Sequence, residues 1–220
     1  MKIDTPEGRA IYRALRENTE MICLDLVHQL ISEQELLDRS IKLARAINEN
    51  QEVGIDEDRP RTFEQILRST LLGKQAEAAC AVILASRNLD VKLNDEEITG
   101  EYGHDLSCEG LRIEVKTQFP SPGKEYFSFN DKRKSINFVQ SSNQHHLVVA
   151  MVPSQRLVLE TYYELVFSPW LLIDSTAIRP ESELFVDSRF QGMYLQMNKT
   201  QDRGLLHYLN PLPDMIINDE

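Results

Sequence analysis

The segment Gly103-His-Asp-Leu-Ser-Cys-Glu-Gly-Leu-Arg-Ile-Glu-Val-Lys-Thr-Gln118 constrains the fold more than any other part of the chain. Two stretches of alternating apolar and polar residues flank Glu109-Gly110. Alternation with period two marks half-buried strands. A glycine between them supplies the positive φ that a tight hairpin turn needs. The spacing therefore predicts a β-hairpin. With a two-residue loop, Cys108 faces Leu111, Ser107 faces Arg112, Leu106 faces Ile113 and Asp105 faces Glu114. A three-residue loop with a bulge shifts this register by one. In the two-residue register, opposed side chains share a face with Cβ atoms about 4.5–5.5 Å apart. Lys116 lies two residues beyond Glu114 and shares its face. Leu106, Cys108, Leu111, Ile113 and Val115 fall on the other, apolar face.

Two carboxylates held this close repel, and burial sharpens the repulsion. A cation between them removes it. An oxygen-only donor set suits a hard cation such as Mg²⁺ or Mn²⁺. Such a cation polarises a phosphoryl oxygen and acidifies a bound water. Lys116 is placed to position that water or to offset charge developing on phosphorus. The plain alternative is a surface hairpin carrying a cross-strand charge cluster, worth only a few tenths of a kcal/mol. That alternative gives no reason for the like-charge pair.

Upstream, the first sixty or so residues read as helical. Ile11, Leu15, Ile22, Leu26 and Leu30 recur at spacings that place them on one helical face. Ser32-Glu-Gln-Glu35 reads as a capping box opening a second helix through Leu36, Leu37, Ile41, Ala44 and Ile47. Residues 48–60 are polar and read as a linker. Thr62-Phe-Glu-Gln65 is another capping box, opening a short helix. The alanine-rich stretch 73–87 predicts a further helix, apolar nearly all round and so buried, with Glu77 its one acidic residue. From about residue 90 strands are expected at 91–93, 104–108, 111–118, 126–129 and 147–152, with a helical segment at 131–143. Strands alternating with helices indicate an α/β core. The last fifty residues give no clear order of elements.

The pattern Asp105, eight residues, then Glu114-Val115-Lys116 resembles the signature of the PD-(D/E)xK, or restriction-endonuclease-like, nucleases. His104 stands where that family's name-giving proline would be. The family often adds a glutamate on a preceding helix, and Gly73-Lys-Gln-Ala-Glu77 is similar to that. The resemblance covers roughly residues 70–152. It implies a restriction-endonuclease-like α/β core, a central mixed sheet flanked by helices, over residues 61–220, with residues 1–60 as an N-terminal helical region. It further implies that Glu77, Asp105, Glu114 and the Val115 carbonyl hold Mg²⁺, with Mn²⁺ able to substitute, and that Asp105, Glu114 and Lys116 are catalytic. The implied reaction is endonucleolytic hydrolysis of DNA phosphodiester bonds. A restriction-type enzyme is the leading subclass, followed by a phage or DNA-repair nuclease of the same fold. A non-catalytic DNA-binding or assembly subunit that retains the fold is the alternative from another class.

The net charge of −11 runs against a DNA-binding role, which favours basic surfaces. A cation-holding site is itself acidic, and binding depends on where charge lies rather than on its sum. Residues 112–134 carry a local basic surplus, including Arg112, Lys116, Lys124, Lys132, Arg133 and Lys134. Gln118, Lys124, Lys132, Arg133 and Lys134 are the expected DNA contacts, and a homodimer straddling the duplex is one arrangement. His145 and His146 are adjacent, so they point to opposite faces of a strand and form no simple shared metal site. Tyr162, Tyr163 and Trp170 read as core rather than base-stacking residues. Cys23, Cys80 and Cys108 are odd in number and widely spaced, which argues for reduced packing residues. No apolar run approaches the roughly 18 residues of a membrane helix. The first residues lack an apolar signal core, so a cytoplasmic location is expected.

Overall fold

A computed structural model describes residues 1–18, 22–51, 61–94, 104–117, 126–130, 145–154, 159, 165–177, 185–187, 193–198 and 206–209. The chain opens with α1 (Pro6–Arg16), whose N-terminus is set by Thr5: its side chain accepts from the Gly8 amide, and Pro6 takes the first helical turn. Next come a two-residue strand, β1 (Ile22–Cys23), and a single turn of helix, α2 (Leu24–Val27). The single helical face expected through Ile11, Leu15, Ile22, Leu26 and Leu30 is therefore not formed. Helix α1 stops at Arg16, and Ile22 pairs with Phe167 in a sheet. Sheet pairing outbids the local helical period, which reports only that these positions are apolar. Leu30 is left 43% exposed.

Helix α3 (Glu33–Gln51) matches the second expected helix, and the Glu35 amide donates to Ser32 Oγ at 3.2 Å. Helix α4 (Phe63–Ala85) begins at Thr62 with both halves of a capping box formed. Its 23 residues fuse what the sequence presents as a short helix and an alanine-rich one. Nothing between them breaks helical geometry, and Gly73 alone costs only about 1 kcal/mol relative to alanine. Lys74 through Ala81 are all buried along α4.

The strands that follow are β2 (Val91–Leu93), β3 (Leu106–Cys108), β4 (Leu111–Thr117), β5 (Tyr126–Asn130), β6 (Leu147–Pro153), β7 (Val166–Asp174), β8 (Phe185–Asp187), β9 (Met193–Asn198) and β10 (Leu206–Tyr208). Six of them join β1 in a seven-stranded mixed sheet in the order β1-β7-β6-β4-β3-β2, with β10 also on β7. Strands β4 and β6 run parallel, and the other recorded pairs of this sheet are antiparallel. Strands β5, β9 and β8 form a separate three-stranded sheet. The chain is thus α/β with a mixed sheet. The helical segment expected at 131–143 lies outside the described residues.

Strand β7 is the longest of the described strands, carries Pro169 within it, and runs into the last fifty residues, whose order of elements the sequence did not give. A proline has no N–H for a ladder and is tolerated in sheets at bulges and edges. Here it sits opposite Met151, where the β6–β7 register shifts. On the other side of β7 it falls between the β1 pairing at residues 166–167 and the β10 pairing at 171–173.

One hydrophobic cluster joins α1, α2, α3 and α4 to a single face of the sheet. It includes Leu15, Leu36, Ala79, Leu84, Leu106, Ile113, Val115, Val149 and Phe167. The N-terminal region therefore shares its core with the segment that carries the hairpin. Every residue of β6 is buried, so the central strand is covered on both faces, as its unbroken apolar run requires. Trp170 is buried, as a core residue should be. Among the described residues, no helix is long and apolar enough to cross a membrane.

Candidate active site

The hairpin forms in the two-residue register. Leu106 pairs with Ile113, Ser107 with Arg112 and Cys108 with Leu111. Glu109 and Gly110 have φ of 49° and 76°. Positive φ at both central positions is the type I′ turn whose twist matches that of the strands. The turn is held from outside: the Glu109 amide donates to the Asp90 carbonyl at 3.0 Å, and Glu109 Oε1 accepts from the Asp90 amide at 2.8 Å.

The paired residues end at Leu106 and Ile113, and Asp105 lies just outside β3. Its Oδ2 accepts from the Val115 amide at 2.6 Å. The segment before β3 is secured by Asn94. The Asn94 amide donates to the Asp105 carbonyl at 3.0 Å, and its Nδ2 donates to the His104 carbonyl and to Ser107 Oγ. His104 Nε2 is 2.7 Å from Ser107 Oγ, which accounts for its half-buried position. Asp105 itself is 5% exposed.

Helix α4 brings Glu77 to the same place. Glu77 is 6% exposed, and its Oε2 accepts from Lys74 Nζ at 2.9 Å, one helical turn away. From β4, Lys116 Nζ donates to Glu114 Oε1. These last two are the open side of the cluster, with the Lys116 side chain 37% and the Glu114 side chain 17% exposed.

The electrostatics tie the four predicted residues together. Burial pushes the Asp105 carboxyl well above the usual carboxylate range, and the charges of Glu77 and then Glu114 push it further. Lys116 and the Val115 N–H act the other way without cancelling the rise. Burial pulls the Lys116 ammonium down, but Glu114, Asp105 and Glu77 outweigh it and hold its pKa above the ordinary lysine value. Lys116 therefore stays charged. The neighbouring Cys80 is fully buried, and burial, Cys108, Asp105 and Glu77 in turn raise its thiol pKa. Burial, then Glu109 and Asp90, pushes Cys108 up to about 12. Both thiols are protonated packing groups, as their spacing suggested, and Cys23 is half-buried and free.

Glu77, Asp105, Glu114 and Lys116 are thus brought together by two elements and the lead-in to a third. Among the described residues no group of three or more His, Cys, Asp or Glu converges at metal-ligating distances. In the arrangement seen, Glu77 is held by Lys74, Glu114 by Lys116 and Asp105 by the Val115 amide. The donor chemistry still fits a hard cation: carboxylate oxygens, those of Glu77 and Asp105 buried and those of Glu114 half-buried, with one carboxyl destabilised by two like charges. Gln118, Lys124, Lys132, Arg133 and Lys134 lie outside the described residues. His146 serves the sheet. Its amide donates to the Arg112 carbonyl, and its Nδ1 accepts from the Arg112 amide at 3.1 Å. Burial and then Arg112 lower its pKa, which keeps the accepting nitrogen unprotonated.

Sequence reasoning passed over two residues. Lys74 was readable, since an i,i+3 pair with Glu77 inside an apolar helix must share a face. Asn94 carried no such signal, because its partners are ten and more residues away across a loop. No family model matches the chain, and no curated protein or solved structure matches it.

Proposed function

We propose that this chain is a metal-dependent DNA endonuclease of the PD-(D/E)xK type, with a restriction-type enzyme as the leading subclass. The observation that carries the reading is the shared field of Asp105, Glu77, Glu114 and Lys116. Two acidic residues from separate elements, Glu77 and Glu114, act on the buried Asp105 carboxyl, with a charged lysine at the solvent side. A purely structural cluster has no need of that third carboxylate.

Asp105, Glu114 and Glu77 would hold Mg²⁺, or Mn²⁺ in its place, with the Val115 carbonyl as a further oxygen donor. The bound cation would supply Lewis acidity toward a phosphoryl oxygen and a water of lowered pKa. Asp105 is oriented by the Val115 N–H, so one of its oxygens is committed to the strand and its direction is set before substrate arrives. Lys116, charged and partly exposed, would meet the scissile phosphate and offset charge gathering on its oxygens. DNA would approach over the Lys116 side, with Gln118 and the basic residues at 124 and 132–134 as its contacts and a homodimer as one way to span both strands.

A plasmid-nicking assay with Mg²⁺ and with EDTA tests the reading, with Lys116→Met as the control variant. Cleavage that needs Mg²⁺ and falls at least about 100-fold in the variant is the expected result. Cleavage that persists in EDTA overturns it. Binding of DNA with no cleavage under any divalent ion replaces it with the non-catalytic subunit.

A further inference from the structure

We propose that Lys74 is a built-in counter-cation that competes with the divalent ion for Glu77, and so sets the metal concentration at which the site fills. The proposal rests on the nuclease reading. Lys74 and Glu77 are an ion pair at 2.9 Å with side chains 9% and 8% exposed. Pairs this deep are poor stabilisers, because the loss of hydration offsets most of the attraction. An apolar pair would serve the packing of α4 equally well, and its neighbours Ala76, Ala78 and Ala79 are apolar.

The surroundings supply a reason for the pair. Glu77 is the largest charge acting on Asp105, and Glu114 is the next. Without a metal, Glu77 and Glu114 bear as like charges on Asp105, which is 5% exposed. Lys116 answers Glu114 on the open side. Lys74 answers Glu77 on the closed side, where it is 8% exposed and water screens little. The three-residue spacing puts the ammonium on the face of α4 that Glu77 presents to Asp105. A cation arriving among these oxygens meets a positive charge already in place. Lys74 is therefore a positioning residue: it holds the Glu77 carboxylate in its metal-free setting and opposes loading.

Mg²⁺ titrated into metal-free protein by calorimetry at pH 8 reads this without any cleavage step. Lys74→Met is expected to bind Mg²⁺ about tenfold or more tightly than wild type, within the usual range of coupling between two bound groups. In EDTA its melting temperature is expected to fall, with the deficit narrowing as Mg²⁺ is added. Lys74→Gln, which can still donate to Glu77 but carries no charge, covers the case in which the methionine variant does not fold, and should shift affinity in the same direction. Lys74→Arg keeps the charge and should stay near wild type. Wild-type binding that neither neutral variant tightens overturns the role of Lys74 and leaves the nuclease reading standing. A wild-type protein that binds no Mg²⁺ overturns both.

Discussion

The Val115 amide donates to Asp105 Oδ2 across 2.6 Å, so one carboxylate serves both the strand and the candidate site. That double duty separates two substitutions that would otherwise look alike. Asp105→Asn keeps an oxygen for the Val115 N–H and removes the charge. It should abolish cleavage while leaving the metal-free protein as stable as wild type or more so, because repulsion from Glu77 and Glu114 is relieved. Asp105→Ala also abolishes cleavage but orphans a buried N–H, a loss of about 1–3 kcal/mol before the relief is counted. Thermal melting in EDTA ranks the two variants, and an alanine variant more stable than the asparagine variant contradicts this account.

The raised pKa of Asp105 has a definite sign in stability. A carboxyl with a folded-state pKa above its unfolded one binds its proton more tightly in the native state. Its contribution is present below the unfolded value, near 3.9, and is lost as pH rises through the folded value. Metal-free wild type should therefore lose stability relative to Asp105→Asn as pH climbs out of the acid range, and Mg²⁺ should remove the difference. Urea denaturation across pH in EDTA measures it. A wild-type-minus-variant difference that is flat with pH would contradict the buried like-charge cluster.

The hairpin turn can be tested apart from the chemistry. Gly110 has a φ of +76°, and a Cβ there would meet nothing within 4 Å. Gly110→Ala should thus cost only the backbone strain of the left-handed region, about 1–2 kcal/mol. It should lower the melting temperature while preserving Mg²⁺ binding, since Asp105 and Glu114 lie beyond the turn. Loss of Mg²⁺ affinity with little change in melting would mean that the turn sets the site more directly.

On the proposed function, a chain of net charge −11 would hold DNA through the few basic residues that cluster in its sequence, among them Lys124 and Lys132 to Lys134. Reversing charge at Arg133 and Lys134 should weaken binding on all sequences alike and leave the cut position unchanged. The log–log salt slope should be shallow, at about 0.9 per neutralised phosphate on duplex DNA, and should fall further in the reversed protein. Fluorescence anisotropy at several salt concentrations gives both quantities. Unchanged affinity at low salt would move the DNA to another surface.

Much of the site could be read along the chain because it is local. Alternation and a glycine at the second turn position determine a two-residue hairpin, and the hairpin determines which of residues 104–117 face the core. The same locality made the Thr62 cap and the alanine-rich half of α4 legible, since helical caps and propensities act over a few residues, but not that the two expected helices are one. Tertiary packing decided the rest. Ile22 belongs to a strand because Phe167, some 145 residues away, offers it a sheet edge, and no local period reports an edge. Strand β7 accepts Pro169 because the β6 register shifts beside it and the β1 and β10 pairings stop on either side. Whether Glu77 meets Asp105 depends on how α4 lies across the sheet, which is set by burial of a shared core rather than by any spacing. Sequence thus determined the side chains available and their local faces. Only the fold could set which charges are near enough, and dry enough, to shift the Asp105 proton, because Coulomb energies depend on distance and on exclusion of water, and neither is written along the chain.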